Sequence, residues 1–226
     1  MITLLQTGVA DPIGAATSET TMSLFDFAAK GGWIMIVLAL LSLIAVYIFV
    51  ERWIAIKNAS NVDVNFMNNI KDNIHDGKIK SALSLCQRNN SPVARMIEKG
   101  IERIGRPLSD IQASVENVGS LEVARMEKGM PILATIAGGA PMIGFLGTVV
   151  GMVQAFYEMS QAGNKIEMSM LSGGIYTALI TTIGGLIVGI FAYFAYNYLV
   201  TRINHAVYSM ESKTIEFMDL LNEPIN

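Results

Sequence analysis

The chain has 226 residues, of which 52% are hydrophobic and only 15% charged, whereas a soluble domain carries about a quarter of its residues charged. That balance, with a positive mean hydropathy, excludes an ordinary soluble globule and points to an integral membrane protein. The net charge of −3 says little about partners, but the distribution of charge shows no nucleic-acid footprint, and the single cysteine, Cys86, excludes an internal disulfide.

The first residues, MITLLQTGVADP, lack the basic start of a signal peptide, so residues 1–31 read as a retained, periplasmic N-terminus. Within them Ser23 is placed to cap a short interfacial helix, with Asp26 at its third position and Leu24, Phe25 and Phe27 close behind. Three segments follow, 32–50, 130–157 and 171–201, that contain no Asp, Glu, Lys, Arg or His. Each meets the length of about 20 apolar residues that a bilayer requires, which predicts an all-α membrane protein with three transmembrane helices. Trp33 and Trp53 bracket the first span, 32–53, about 30 Å apart at helical rise, one in each interface. The second and third spans exceed the hydrocarbon thickness and are expected to run on beyond it as long helices.

Orientation follows from charge. Arg52, Lys57, Lys71, Lys78, Lys80, Arg88, Arg95, Lys99, Arg103, Arg106, Arg125 and Lys128 all lie between the first and second spans, which makes residues 54–129 cytoplasmic. The 158–170 loop then lies outside and the 202–226 tail is cytoplasmic, as in a multi-pass membrane protein. Punctuation divides the cytoplasmic part into helices: Asp63 opens one and Gly77 closes it, Ser91-Pro92 starts another that stops at Gly105, and Ser109 caps the next. From Ser109 the helix reads as running into the second span, with Gly129 and Pro131 the possible interruptions. The tail spaces Ile203, Val207, Met210, Ile215 and Met218 helically and continues the third span. Cys86 reads as a small core residue, and His75 and His205, which lack partners at metal spacing, as surface or interface residues. No metal or cofactor is expected, and no nucleophile, base or metal cluster is assembled for an enzyme.

Inside the second span Ala134, Ala137, Pro141, Gly144, Thr148, Gly151, Ala155 and Glu158 follow at steps of three and four, a nearly bare stripe down one face. The third span carries a matching stripe of Gly174, Ala178, Thr182, Gly185, Gly189 and Ala192, with Thr177 and Thr181 a little around the helix. One reading is that small faces pack helix on helix and the threonines bond to their own backbone. The other is a polar pore lining, in which the hydroxyls order water or meet a carboxyl without bringing a charge into lipid. Pro141 frees a carbonyl in the membrane, which favours a kink or a hydrated gap. The spans have no carboxylate, lysine, arginine or histidine, so a partner must supply the carboxylate if protons pass. The run GGAPMIGFLGTVVG lacks the strand context of a dinucleotide-binding loop.

Over nearly its whole length the chain resembles the ExbB/TolQ/MotA proton-channel family, most of all its ExbB and TolQ branch. The resemblance rests on LEVARMEKGMPILATIAGGAPMIGFLGTVVGM, with its APxxGxLGTVxG element, and on GGIYTALITTIGGLIVGI, with its TxxGL ending. It implies a channel or stator subunit of a proton-driven motor. In such a motor a homopentamer surrounds single-span ExbD-like or TolR-like subunits, whose intramembrane Asp carries protons past Thr148 and Thr182, with Thr177 and Thr181 nearby. Pro141, Gly144, Gly147, Gly151, Gly185 and Gly189 would serve helix packing and partner contact. Rotation of the ring would pass force to a TonB-like protein and energise outer-membrane transport. A TolQ-like role, a gliding or flagellar-type stator and a non-conducting scaffold are the alternatives, and proton over sodium is inherited from the resemblance. Two residues depart from the pattern: Thr177 stands where ExbB and TolQ relatives often have Glu, and Phe191 where they often have Pro.

Overall fold

The computed structural model describes residues 31–59, 65–162 and 168–223. Among them regular structure is entirely helical: α1 (Gly32–Ala59), α2 (Phe66–His75), α3 (Ile79–Arg88), α4 (Pro92–Ile101), α5 (Leu108–Met126), α6 (Met130–Gln161) and α7 (Met168–Asn222). Three helical stretches, in Gly32–Ala59, Leu108–Gln161 and Leu171–Asn222, are long and apolar enough to cross a membrane, so the chain is an all-α, multi-pass membrane protein. The helix expected after Ser23, the Asp63 cap and the middle of the loop after α6 lie outside the described residues.

α1 buries Ile34, Leu38, Ala45 and Ile48 on one side, packed against α6 and α7. On its other side Ile36, Leu40, Leu43 and Tyr47 are exposed, as are Trp33 and Trp53. A continuous row of large exposed apolar side chains on a helix of this length is a lipid-facing surface, since lipid removes the penalty water would impose. Phe191 packs edge-on against Phe49 of α1, ring centroids 6.1 Å apart, and α7 runs through it without interruption.

α7 has 55 residues and is therefore about 82 Å long, far more than the roughly 30 Å of hydrocarbon it crosses. Its far end docks among the short helices. Phe217 is fully buried over Gly100 of α4, where an added Cβ would lie 2.4 Å from the ring and 3.0 Å from Val115 of α5. Glu223 sits 3.4 Å from Lys71 and 3.5 Å from His75, both on α2. Phe217→Ala is expected to destabilise this layer by about 3–5 kcal/mol, the cost of emptying a large aromatic site. Thermal unfolding of the purified protein measures it, and an unchanged midpoint would mean that the end of α7 is not docked.

Local sequence explains most helix ends. Ser91 caps α4, its hydroxyl accepting from the Ala94 amide at 3.2 Å, and Pro92 takes the first position, where its missing N–H costs nothing. Gly77, at φ +70°, closes α2. Four details differ from expectation. Lys78 starts a separate helix, α3, whose small face of Ala82 and Cys86 turns inward. α4 ends at Ile101, and the chain reaches Gly105, at φ +97°, through tight turns in which Arg103 donates to Gly100 and Ile104 to Ile101. Ser109 does not cap α5: the helix begins one residue earlier behind Pro107, whose extended ψ of 141° sets the approach and whose carbonyl receives the Asp110 and Ile111 amides. The helix expected to run unbroken into the membrane is divided at residues 127–129. Gly129 adopts φ +84°, and Pro131 in the first turn of α6 has no N–H to continue the ladder.

Two buried charges fasten this region. Arg52, about two turns before the end of α1, is 8% exposed, pairs with Glu51 and donates to the Arg125 carbonyl at 2.9 Å, satisfying one of the open carbonyls at the end of α5. Glu122 is 3% exposed and receives both guanidinium arms of Arg95, at 2.9 and 2.5 Å, together with Arg125 at 2.6 Å. It joins α4 to α5. Glu122→Ala is expected to cost about 3 kcal/mol, the low end for a broken buried pair because Arg125 remains largely in water. Arg125→Ala should cost well under half as much, and equal losses in the two unfolding curves would contradict the assignment.

Candidate functional site

α6 and α7 run antiparallel along a seam of small residues in which backbone meets backbone. A Cβ built on Gly185 would lie 2.6 Å from the Ala140 carbonyl oxygen and 2.8 Å from the Gly144 Cα. One on Gly144 would lie 2.8 Å from the Thr181 carbonyl oxygen, and one on Gly147 would overlap the Thr181 side chain at 2.3 Å. Farther along, Gly151 meets Ala178 at 3.0 Å and Gly174 meets Ala155 at 2.4 Å. Toward the other end Gly189 receives the Pro141 ring, with a Cβ-to-Cγ distance of 2.4 Å. The two bare stripes therefore face each other within one chain, the arrangement small-residue motifs permit. α6 continues through Pro141, and the Ala137 carbonyl, which loses its helical donor there, lies 3.1 Å from the Gly189 Cβ position.

The threonines divide by burial. Thr181 is 2% exposed and sits inside the seam, donating to the Ala178 carbonyl at 2.7 Å with the Gly144 carbonyl at 3.4 Å. Thr182 is half-buried and donates across the seam to the Gly144 carbonyl at 3.1 Å. Thr148 is half-buried and donates to the Phe145 carbonyl at 2.5 Å, and Thr177 is half-buried on α7. Gly147, rather than Thr148, is the enclosed residue of that turn, while Pro141, Gly144, Gly151 and Ala155 of the stripe keep their contacts with α7. A threonine whose proton is committed to a carbonyl keeps its oxygen lone pairs, so Thr182 and Thr148 present acceptors to anything beside them. Acceptors of that kind favour a protonated carboxyl or a water over a carboxylate.

Other polar groups offer no competing chemistry among the described residues. There is no cluster of three metal-ligating side chains among them. Cys86 is buried, and burial, with Glu98 adding to it, pushes its thiol up to about 12, so it stays protonated and is a poor nucleophile. His75 and His205 are exposed. Glu158, at the end of α6, is exposed and accepts from Gln154 at 3.1 Å. The residues that sequence reasoning missed are Arg52 and Glu122. Both looked like ordinary cytoplasmic charges, and nothing in their spacing marked them as buried.

Comparison with known proteins agrees with this architecture. The chain is 27% identical over 190 residues to a biopolymer transport protein ExbB homolog of Methanothermobacter thermautotrophicus, covering 84% of this chain and 67% of that one. It is 24% identical over 180 residues to biopolymer transport protein ExbB of Neisseria meningitidis, with 74% and 80% of the two chains covered. A shorter stretch of 83 residues is 42% identical to the Tol-Pal system protein TolQ of Haemophilus influenzae, 37% of this chain and 36% of that one. The model of the MotA/TolQ/ExbB proton channel family matches residues 88–212, more than half of the chain and all of the α6–α7 seam, and the chain belongs to that family.

Proposed function

We propose that this chain is the channel or stator subunit of an inner-membrane motor driven by the proton gradient, acting with a single-span subunit of the ExbD or TolR kind and energising TonB-dependent outer-membrane transport. The observation that carries the reading is a membrane seam rich in hydroxyls but free of titratable groups in a member of a proton channel family. A proton crossing such a site needs a carrier from elsewhere, and an intramembrane Asp on a partner fits the acceptors that Thr148 and Thr182 present. Thr177 extends that row, and Thr181 holds the seam behind it. Each proton passing down the potential delivers about 2.3 kcal/mol per 100 mV to be turned into motion.

The proposed assembly is a homopentamer around the single-span subunit, with the N-terminus periplasmic and α2–α5 cytoplasmic. The short, strong match to TolQ favours a second reading, the same motor serving a Tol-type envelope system. Native mass spectrometry of the complex taken gently from its own membranes tests both. A pentamer holding a single-span protein with one intramembrane Asp is the expected result, and that protein's own sequence separates the two branches. A chain without a ring and without such a partner would leave a helical scaffold as the function.

A further inference from the structure

Beneath the membrane layer, on the side that carries α2–α5, the lower half of α7 stands away from α5 and leaves an open groove of about 770 Å³. Its floor is apolar and methionine-rich, with Met96, Val123, Met210 and Met218, and Ile215 is 62% exposed at its edge. Glu116 on α5, Glu127 just past its end, and Glu211 and Asp219 on α7 line the same groove, and no lysine or arginine does. None of these four carboxylates has an ion-pair partner among the described residues; Glu116 accepts one bond, from Gln112 at 2.8 Å.

The dimensions suit one kind of occupant. From Gln112 to Glu127 the α5 wall is about 22 Å long, and from Val207 to Asp219 the α7 wall is about 18 Å, which is the length of three to four helical turns. Methionine floors re-pack around apolar anchors, and helices that lie in grooves are read by such anchors at helical spacing. Four unpaired carboxylates around an apolar floor are the electrostatic complement of a helix with one apolar and one basic face. A single-span subunit carries its excess of Lys and Arg next to the membrane on its cytoplasmic side.

We infer that the α5–α7 groove receives a basic, amphipathic helical segment of the single-span partner, on the side of the membrane that holds α2–α5. The partner's identity rests on the proposed motor reading; the groove and its charge do not. Docking there would hold the partner by a site separate from the membrane seam.

Ser120 lines the groove and is exposed, so Ser120→Cys, labelled with a benzophenone maleimide in native membranes holding the whole complex, places a photoreactive probe in it. Cys86, buried and protonated, stays unlabelled. Irradiation is expected to link this position to a segment of the single-span subunit with Lys or Arg and apolar residues at helical spacing. Glu116→Lys with Glu211→Lys should lower the yield at least about tenfold, as reversed rim charges repel the segment. Glu116→Gln with Glu211→Gln should lower it less, with unchanged gel-filtration size confirming the fold. A subunit that co-purifies but is not linked, a link to a second copy of this chain, or a yield indifferent to charge overturns the groove assignment alone. Absence of any single-span subunit from the purified complex overturns the motor reading, and the assignment with it.

Discussion

Thr182→Val is expected to cut proton-coupled work about tenfold while leaving the chain folded, because a carboxyl donor left unsatisfied away from water costs about 1–3 kcal/mol. Valine matches threonine in shape and loses the oxygen. What disappears is the bond across the seam to the Gly144 carbonyl and the acceptor that the half-buried hydroxyl presents outward. The first loss is modest, since Gly144 lies within unbroken α6. The second removes the group proposed to meet the partner's protonated carboxyl. Thr182→Ser keeps both functions and should retain most of the activity. Proton uptake by proteoliposomes containing the complex, read with a pH-sensitive dye and paired with gel filtration, decides it. Undiminished flux in the valine variant would make Thr182 a packing residue and nothing more.

Gly185→Ala is the second large effect, and it acts on the fold. The added methyl would lie 2.6 Å from the Ala140 carbonyl oxygen and 2.8 Å from the Gly144 Cα, both backbone atoms that cannot rotate away. Overpacking of a tight site typically costs about 1–3 kcal/mol, and relief here requires α6 and α7 to separate, which places the loss at the upper end. Gly138→Ala and Gly139→Ala are the controls. Neither meets another atom within 4 Å, and alanine's better helix propensity should leave stability unchanged or raise it by up to about 1 kcal/mol. Unfolding midpoints of the three variants in one detergent provide the comparison. Equal midpoints would mean that the seam is looser than its distances.

The three spans were legible because lipid imposes the same demand on every residue: 130–157 has no charge to interrupt it, and no soluble helix needs that. The seam was legible for a related reason, since only close backbone approach gives steps of three and four among glycine and alanine a purpose. Which turn faced inward was not. Gly147 and Thr148 are neighbours, and the spacing does not record which of the two is enclosed. Thr181 and Thr182 pose the same ambiguity. The buried charges escaped for the opposite reason. Arg52 and Glu122 are enclosed by partners 73 and 27 residues away, so their burial is set by tertiary contact and leaves no local pattern. The division at residues 127–129 was half visible, in Gly129 and Pro131, but a glycine within an apolar run also suits a continuous helix. Gly129 takes the left-handed conformation, next to the α5 end that Arg52 holds.

That division makes the two routes out of the membrane mechanically unlike. α7 passes from bilayer to soluble layer as one hydrogen-bonded rod, whereas α5 hangs from α6 by a turn of three residues steadied by a guanidinium. A rod transmits tilt and twist along its length; a turn absorbs them. When the membrane helices shift, the end of α7 with Phe217 and Glu223 follows at once, and α5 follows with slack.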